Sequence, residues 1–242
     1  MRNGHPEWFG FLSSTLLLSL LPMTLAAQSP AALFVPPAAS HITALANGID
    51  IQAGSAHEQI VALRDDVIRI RFNRTQTLPE DASWAVLPEA RRSSVSVQPF
   101  TDGFSTKLLR VSVDRRTLEL TVRDADGNII MQDVRPITFS GDSFRITEAM
   151  PPDEHFFGLG DKTGPLDRRD EAFSLWNTDA YRFQESTDPL YKSVPFFMTF
   201  RAGVAAGVLL DNTWRSSFDF GKESRDSYSF GAENGPVDYY VF

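Results

Sequence analysis

Cysteine is missing from all 242 residues of this chain. That excludes disulfide staples, thiolate metal sites and cysteine nucleophiles together, so the fold must rest on its core. Histidine is scarce, with four residues, one of them His5 near the N-terminus, and no spaced pair resembles a zinc site. Basic charge is in deficit: 23 Lys and Arg against 31 Asp and Glu leave a net charge of −8. Such a balance lacks the clustered cations that nucleic acid requires, so no nucleic-acid partner is expected. Helical periodicity is absent from the segments after the N-terminal region, and 15 prolines oppose long helices.

Long apolar runs are lacking too. Phe11 to Leu21 falls short of the roughly 20 residues of a spanning helix and ends at Pro22. With Arg2 ahead and the small pair Ala26-Ala27 behind, residues 1–27 read as an export signal and not as a stable membrane anchor, although Glu7 is unusual for either. A periplasmic or secreted protein is the expectation. Residues 28–40, rich in Ala and Pro, read as a linker or loosely held arm, leaving 41–242 for one domain. With 42% hydrophobic and 12% aromatic residues, that length can bury a sizeable core.

Alternation of period two dominates what remains. Ile68, Ile70 and Phe72 share one face and Arg69 and Arg71 the other; Leu118, Leu120 and Val122 repeat the pattern. The second run meets Asp126-Gly127, a dipeptide suited to a two-residue hairpin turn, and re-emerges at Ile129-Ile130-Met131. Short aromatic or β-branched runs follow at 195–200, 204–210, 214–220 and 238–242, whereas 181–190 reads as an ordered loop. Many short strands without helices predict an all-β fold, an antiparallel β-sandwich or barrel, because a sheet face must be covered by another sheet.

Several motifs dissolve on inspection. Gly158-Leu159-Gly160-Asp161-Lys162-Thr163-Gly164 lacks both the Gly directly before Lys and the following helix of a phosphate cradle, so its glycines read as a sharp strand turn and no cofactor is implied. Asp124, Asp126 and Asn128 imitate a calcium loop, but Ile129 and Arg135 stand where Gly and Glu are required, and no metal is expected. His155, beside Asp153 and Glu154, reads as a structural residue at a strand start. No Gly-x-Ser-x-Gly elbow occurs. Trp176-Asn177-Thr178-Asp179 is different: an indole, an amide, a hydroxyl and a carboxylate on one loop tip suit a ring with CH groups on its faces and hydroxyls on its edges.

Together, Phe157-Gly158-Leu159-Gly160-Asp161-Lys162, Trp176-Asn177-Thr178-Asp179, Tyr191-Lys192-Ser193-Val194-Pro195-Phe196-Phe197 and Gly207-Val208-Leu209-Leu210-Asp211-Asn212-Thr213 resemble the N-terminal domain of glycoside hydrolase family 31, the α-glucosidases and α-xylosidases. Residues 41–150 match it only in all-β character. The resemblance implies a β-sandwich of galactose-mutarotase-like type in front of a (β/α)8 catalytic barrel, with an α-linked oligosaccharide or glycoside as substrate. A loop of this domain would reach over the barrel mouth, placing Asp179 at the sugar subsites, with Trp176, Asn177, Thr178 and Tyr181 as further substrate-binding candidates. The implied chemistry is retaining hydrolysis by two barrel carboxylates. Neither is matched here, so the chain alone is expected to be inactive, and its strand-like end at Phe242 reads as that of a truncated frame or split gene. The alternative is a stand-alone carbohydrate-binding or scaffolding module; a mutarotase, resting on fold analogy, would have only His155 with Glu154.

Overall fold

Period-two alternation becomes strand over Val67–Asn73 and Leu120–Asp124, whereas Leu118, expected on the second of these, lies just before it at a φ of 62°. The structure, a computed structural model, describes residues 32–242 together with Met1 and Gly4. The export-signal reading lies, apart from those two residues, outside the described residues, as do residues 28–31 of the arm. The chain divides into two units, 1–30 and 31–242, and the second contains everything that follows.

Its elements in chain order are β1 (Leu33–Phe34), β2 (His41–Leu45), β3 (Gly48–Ala53), β4 (Ala56–Arg64), β5 (Val67–Asn73), a one-turn helix α1 (Pro88–Arg91), β6 (Gln98–Phe100), β7 (Gly103–Ser105), β8 (Leu109–Val113), β9 (Leu120–Asp124), β10 (Ile129–Ser140), β11 (Ser143–Ala149), β12 (His155–Gly160), β13 (Ala172–Leu175), β14 (Ser193–Arg201), β15 (Val204–Leu210), β16 (Ser216–Asp219), β17 (Ser227–Ala232) and β18 (Val237–Val241). They build two antiparallel sheets. One runs β13-β16-β17-β11-β10-β9-β8-β7-β6, with β1 added to β10; the other runs β12-β14-β15-β18-β5-β4-β3-β2. Strand β10 is long enough to serve two partners, pairing β9 through Ile129–Gln132 and β11 through Asp133–Ser140, with register shifts at the changeover.

The core lies between the sheets. Ile49, Ile51, Ile60, Ile68, Ile70 and Phe72 come from one, Phe104, Val111, Val122, Ile146, Phe218 and Phe230 from the other, all buried. Near β12 the filling is aromatic: Phe156 stacks on Phe220 at 4.5 Å, and Phe197 meets Phe230 edge-on at 5.7 Å. Each such ring withdraws apolar surface worth about 1.5–3 kcal/mol from water.

Three local expectations change in detail. The Arg69 face of β5 is covered and not solvent-facing: Arg69 is buried, its guanidinium forks onto Asp238 at 2.9 and 2.6 Å, and it also donates to Asp81 at 2.8 Å. The excursion between β5 and β6 that carries Asp81, Val86 and α1 provides the cover. The β9–β10 hairpin forms, but its connection has four residues, Ala125 to Asn128. Asp124 closes it by accepting from the Asn128 amide, and only Gly127 takes a positive φ, of 89°, where a two-residue turn of the expected kind needs two. Finally, the far end of the expected arm is tied down: Leu33 and Phe34 pair with Ser140 and Phe139, and Phe34 packs on Phe139 at 5.8 Å.

Candidate functional site

Two sheet edges meet where the four sequence blocks converge. Edge strand β12 ends in Gly158-Leu159-Gly160, whose φ angles are 128°, 72° and 77°. A side chain at Gly158 would place its Cβ 2.5 Å from the carbonyl oxygen of Phe196, so close approach to β14 demands glycine there. The bulge buries Leu159 and delivers Lys162, whose ammonium is sunk among three loops. It donates to the Ser174 carbonyl at 2.6 Å and to Asp188 at 2.5 Å, while the other Asp188 oxygen accepts from the Ser174 amide. A buried cation satisfied in this way holds the base of the β13–β14 loop in place.

That loop carries the tip. Leu175 is buried at the end of β13, and Trp176 immediately follows with 49% of its surface exposed. Asn177 accepts the Ser193 amide at 2.8 Å, the Thr178 amide donates to the Leu190 carbonyl, and the Thr178 hydroxyl donates back to the Trp176 carbonyl. Asp179 is exposed, as is Tyr181, whose ring lies 5.3 Å from the Arg182 guanidinium.

Beside the tip opens a cleft of about 460 Å³. Trp176 and Asn177 form one wall; Trp84, from the excursion after β5, and Trp214, between β15 and β16, form the others, with Asp211, Asn212 and Thr213 between. Among the described residues no Lys, Arg or His lines it. Of the five substrate-binding candidates, the structure brings Trp176 and Asn177 into this cleft, whereas Thr178, Asp179 and Tyr181 lie along the loop outside its lining. Sequence reasoning missed Trp84 and Trp214. Asp211-Asn212-Thr213 is visible as a block, but nothing local announces that a tryptophan 130 residues before Trp214 lines the same cleft.

The other histidine idea does not assemble. His155 pairs with Asp167 at 2.6 Å, whereas Glu154 is buried and bonded to Arg201. Among the described residues no group of three or more His, Asp or Glu is arranged to hold a metal ion.

Three further carboxyls lie inside the sandwich: Glu58, Asp133 and Glu148. Glu58 occupies an inward position of β4 between Ala56 and Ile60, and Glu148 follows Phe144 and Ile146 on the inward face of β11. Desolvation, reinforced by the neighbouring Asp133 charge, pushes Glu58 up to about 8. Glu148 is raised first by desolvation, then by the Asp133 charge and by its hydrogen bond with that carboxyl.

Comparison with known proteins gives a consistent result. The profile described as "Glycosyl hydrolase 31 N-terminal galactose mutarotase-like domain" matches residues 58–219. Alpha-glucosidase 2 of Bacillus thermoamyloliquefaciens is 36% identical over 187 residues, covering 74% of this chain and 23% of its own. The Alpha-xylosidase XylQ of Lactiplantibacillus pentosus is 30% identical over 93 residues, 38% of this chain and 11% of its own. Among solved structures, a Flavobacterium johnsoniae GH31 dextranase complexed with isomaltotriose superposes with a TM-score of 0.78 at 28% identity, covering 86% of this chain and 26% of that one. The chain thus spans about a quarter of the length of these first relatives.

Proposed function

Because the chain belongs to the glycosyl hydrolase 31 N-terminal galactose-mutarotase-like domain family, we propose that it is the N-terminal, substrate-pocket domain of an exported α-glycosidase. In this reading a (β/α)8 barrel carries the nucleophile and the acid, and this domain supplies shape. The observation that carries it is the tip: Trp176 to Asp179 stands at an open rim on a loop braced by Lys162, Asn177 and Thr178, a rigid support for a group that must reach a neighbouring site.

A second feature supports a partner domain. On the outer face of β14, Val194, Met198 and Phe200 are each nearly half exposed, and Phe242 beside them packs on Phe196 at 6.1 Å. An apolar sheet face of this kind suits docking against a partner domain. Export to the periplasm or beyond, the α-linked glycoside as substrate, and Asp179 at the sugar subsites complete the reading.

Two measurements test it. The purified chain should turn over neither aryl α-glucosides nor α-xylosides; hydrolysis traceable to this polypeptide would overturn the assignment. Joined to the catalytic part of the 36%-identical α-glucosidase, Asp179→Ala should raise KM or lower kcat about tenfold, one hydrogen bond's worth of transition-state or ground-state binding. Kinetics equal to the parent chimera would remove Asp179 from the site.

A further inference from the structure

The tryptophan cleft has properties that the tip alone does not explain. Its three indoles come from separate loops, and each loop is fixed by a polar neighbour of its tryptophan. Ser83 donates to Asp211 Oδ1 at 2.8 Å and accepts from the Ala85 and Val86 amides at 3.0 and 2.8 Å, setting Trp84. Asn177 sets Trp176 through the Ser193 amide. Asn212, buried, accepts the Trp214 amide at 2.7 Å and donates to the Asn234 and Pro236 carbonyls, both at 2.9 Å. Trp214 lies so close over Gly235 that a Cβ there would fall 2.5 Å from its ring. Half or more of each of Trp84 and Trp214 nonetheless faces solvent, with Trp84 at 95%. The backbone beneath each indole is thus already ordered, which lowers the ordering cost of binding.

The lining also selects the ligand. With no cation among the described lining residues, and with Asp211 among them, the cleft disfavours phosphates and carboxylates. Indole faces take CH-bearing ring faces, and the Asn177 amide and Thr213 hydroxyl take ring-edge hydroxyls. The volume of about 460 Å³ falls in the range of small-molecule sites.

We propose that the cleft between Trp84, Trp176 and Trp214 is a saccharide-binding subsite formed wholly by this chain, taking a short neutral α-linked glucosaccharide without any contribution from a barrel. The inference rests on the carbohydrate-directed reading above but not on its partner domain. The test is titration of the ¹⁵N-labelled chain with maltose and with isomaltose, following the indole N–H signals, with sorbitol as a polyol lacking the pyranose face. Saturable shifts of the Trp84, Trp176 and Trp214 signals are expected, with a midpoint on the order of 1 mM. Trp84→Ala, at a solvent-exposed position where folding is undisturbed, should weaken binding about tenfold and Trp84→Phe less, while Lys107→Ala, exposed and outside the cleft lining, should leave it unchanged. No shift at about 50 mM saccharide, far above that midpoint, would overturn the proposal. So would equal shifts with sorbitol, or parental affinity in Trp84→Ala. A flat titration leaves the pocket-wall role standing, since that role is read from the Asp179→Ala kinetics of the joined enzyme.

Discussion

The rim and the core of this sandwich each break the usual partition of residues, in opposite directions. At the rim, Trp84, Trp176 and Trp214 keep large apolar rings in water. Between the sheets, Glu58, Asp133 and Glu148 keep carboxyls out of it. The first departure costs the fold little, because an exposed ring loses only the burial it might have gained, and it leaves a surface ready for a ligand. The second costs the fold directly, and the cost varies with pH because protonation removes the charge. A misplaced apolar group therefore points to binding, and a misplaced acid to conditional stability.

The sharpest way to break the comparison is to remove a ring from the core instead of the rim. Phe197→Ala, which strips contacts to Phe156, Phe218, Phe220 and Phe230, should cost about 3–5 kcal/mol in urea or thermal unfolding. A loss below about 1 kcal/mol would show that the aromatic cluster is not the keystone of that end.

Next comes the acid cluster. Glu58 keeps its proton in the folded chain to about pH 8, whereas the unfolded chain releases it near 4.5. The folded state therefore binds more protons across that interval, so stability is greatest below about 4.5 for this group and falls as pH rises toward 8. Glu148, raised by burial beside Asp133, adds in the same sense, with Tyr228 and Tyr239 facing the cluster from β17 and β18. Glu58→Gln should flatten the decline between pH 5 and 8, recovering on the order of a few kcal/mol at the alkaline end. An unchanged pH slope would move the source of any decline elsewhere.

Smaller effects belong to the rim. Asn212→Ala deprives two carbonyls and one amide of a buried partner and should cost about 1–3 kcal/mol, visible as a lowered Tm. Trp84→Ala should change stability by less than about 0.5 kcal/mol; a larger loss would show that this ring packs as part of the fold and not as open surface.

How much of this was legible in the sequence depended on the reach of the interaction. Strand β5, the β9–β10 hairpin and the Gly158-Leu159-Gly160 turn follow from neighbours two or three residues apart, and they were readable. The hairpin's loop length was not, because Asp124 decides it by capping Asn128. Cover over Arg69 depends on Asp238, 169 residues away, and period-two alternation states only which side a residue faces, not what lies over that side. The buried acids did leave a signal: Glu58 shares parity with Ala56, Ile60 and Ala62, and Glu148 with Phe144 and Ile146, which places both inward. For the cleft, the Trp176 tip and the Asp211-Asn212-Thr213 block were each visible, but their meeting with Trp84 is a product of topology.

One consequence follows from where the indoles sit. Among the described residues every tryptophan lines the cleft, while the interior is filled by phenylalanine, tyrosine and aliphatic chains. Ultraviolet emission from this domain will therefore act as a gauge of the mouth and not of the interior. A denaturation curve recorded at indole wavelengths reports when the loops let go, and one recorded by far-ultraviolet dichroism reports when the strands do. Any gap between the two midpoints measures how independently the receiving surface can loosen from the scaffold beneath it.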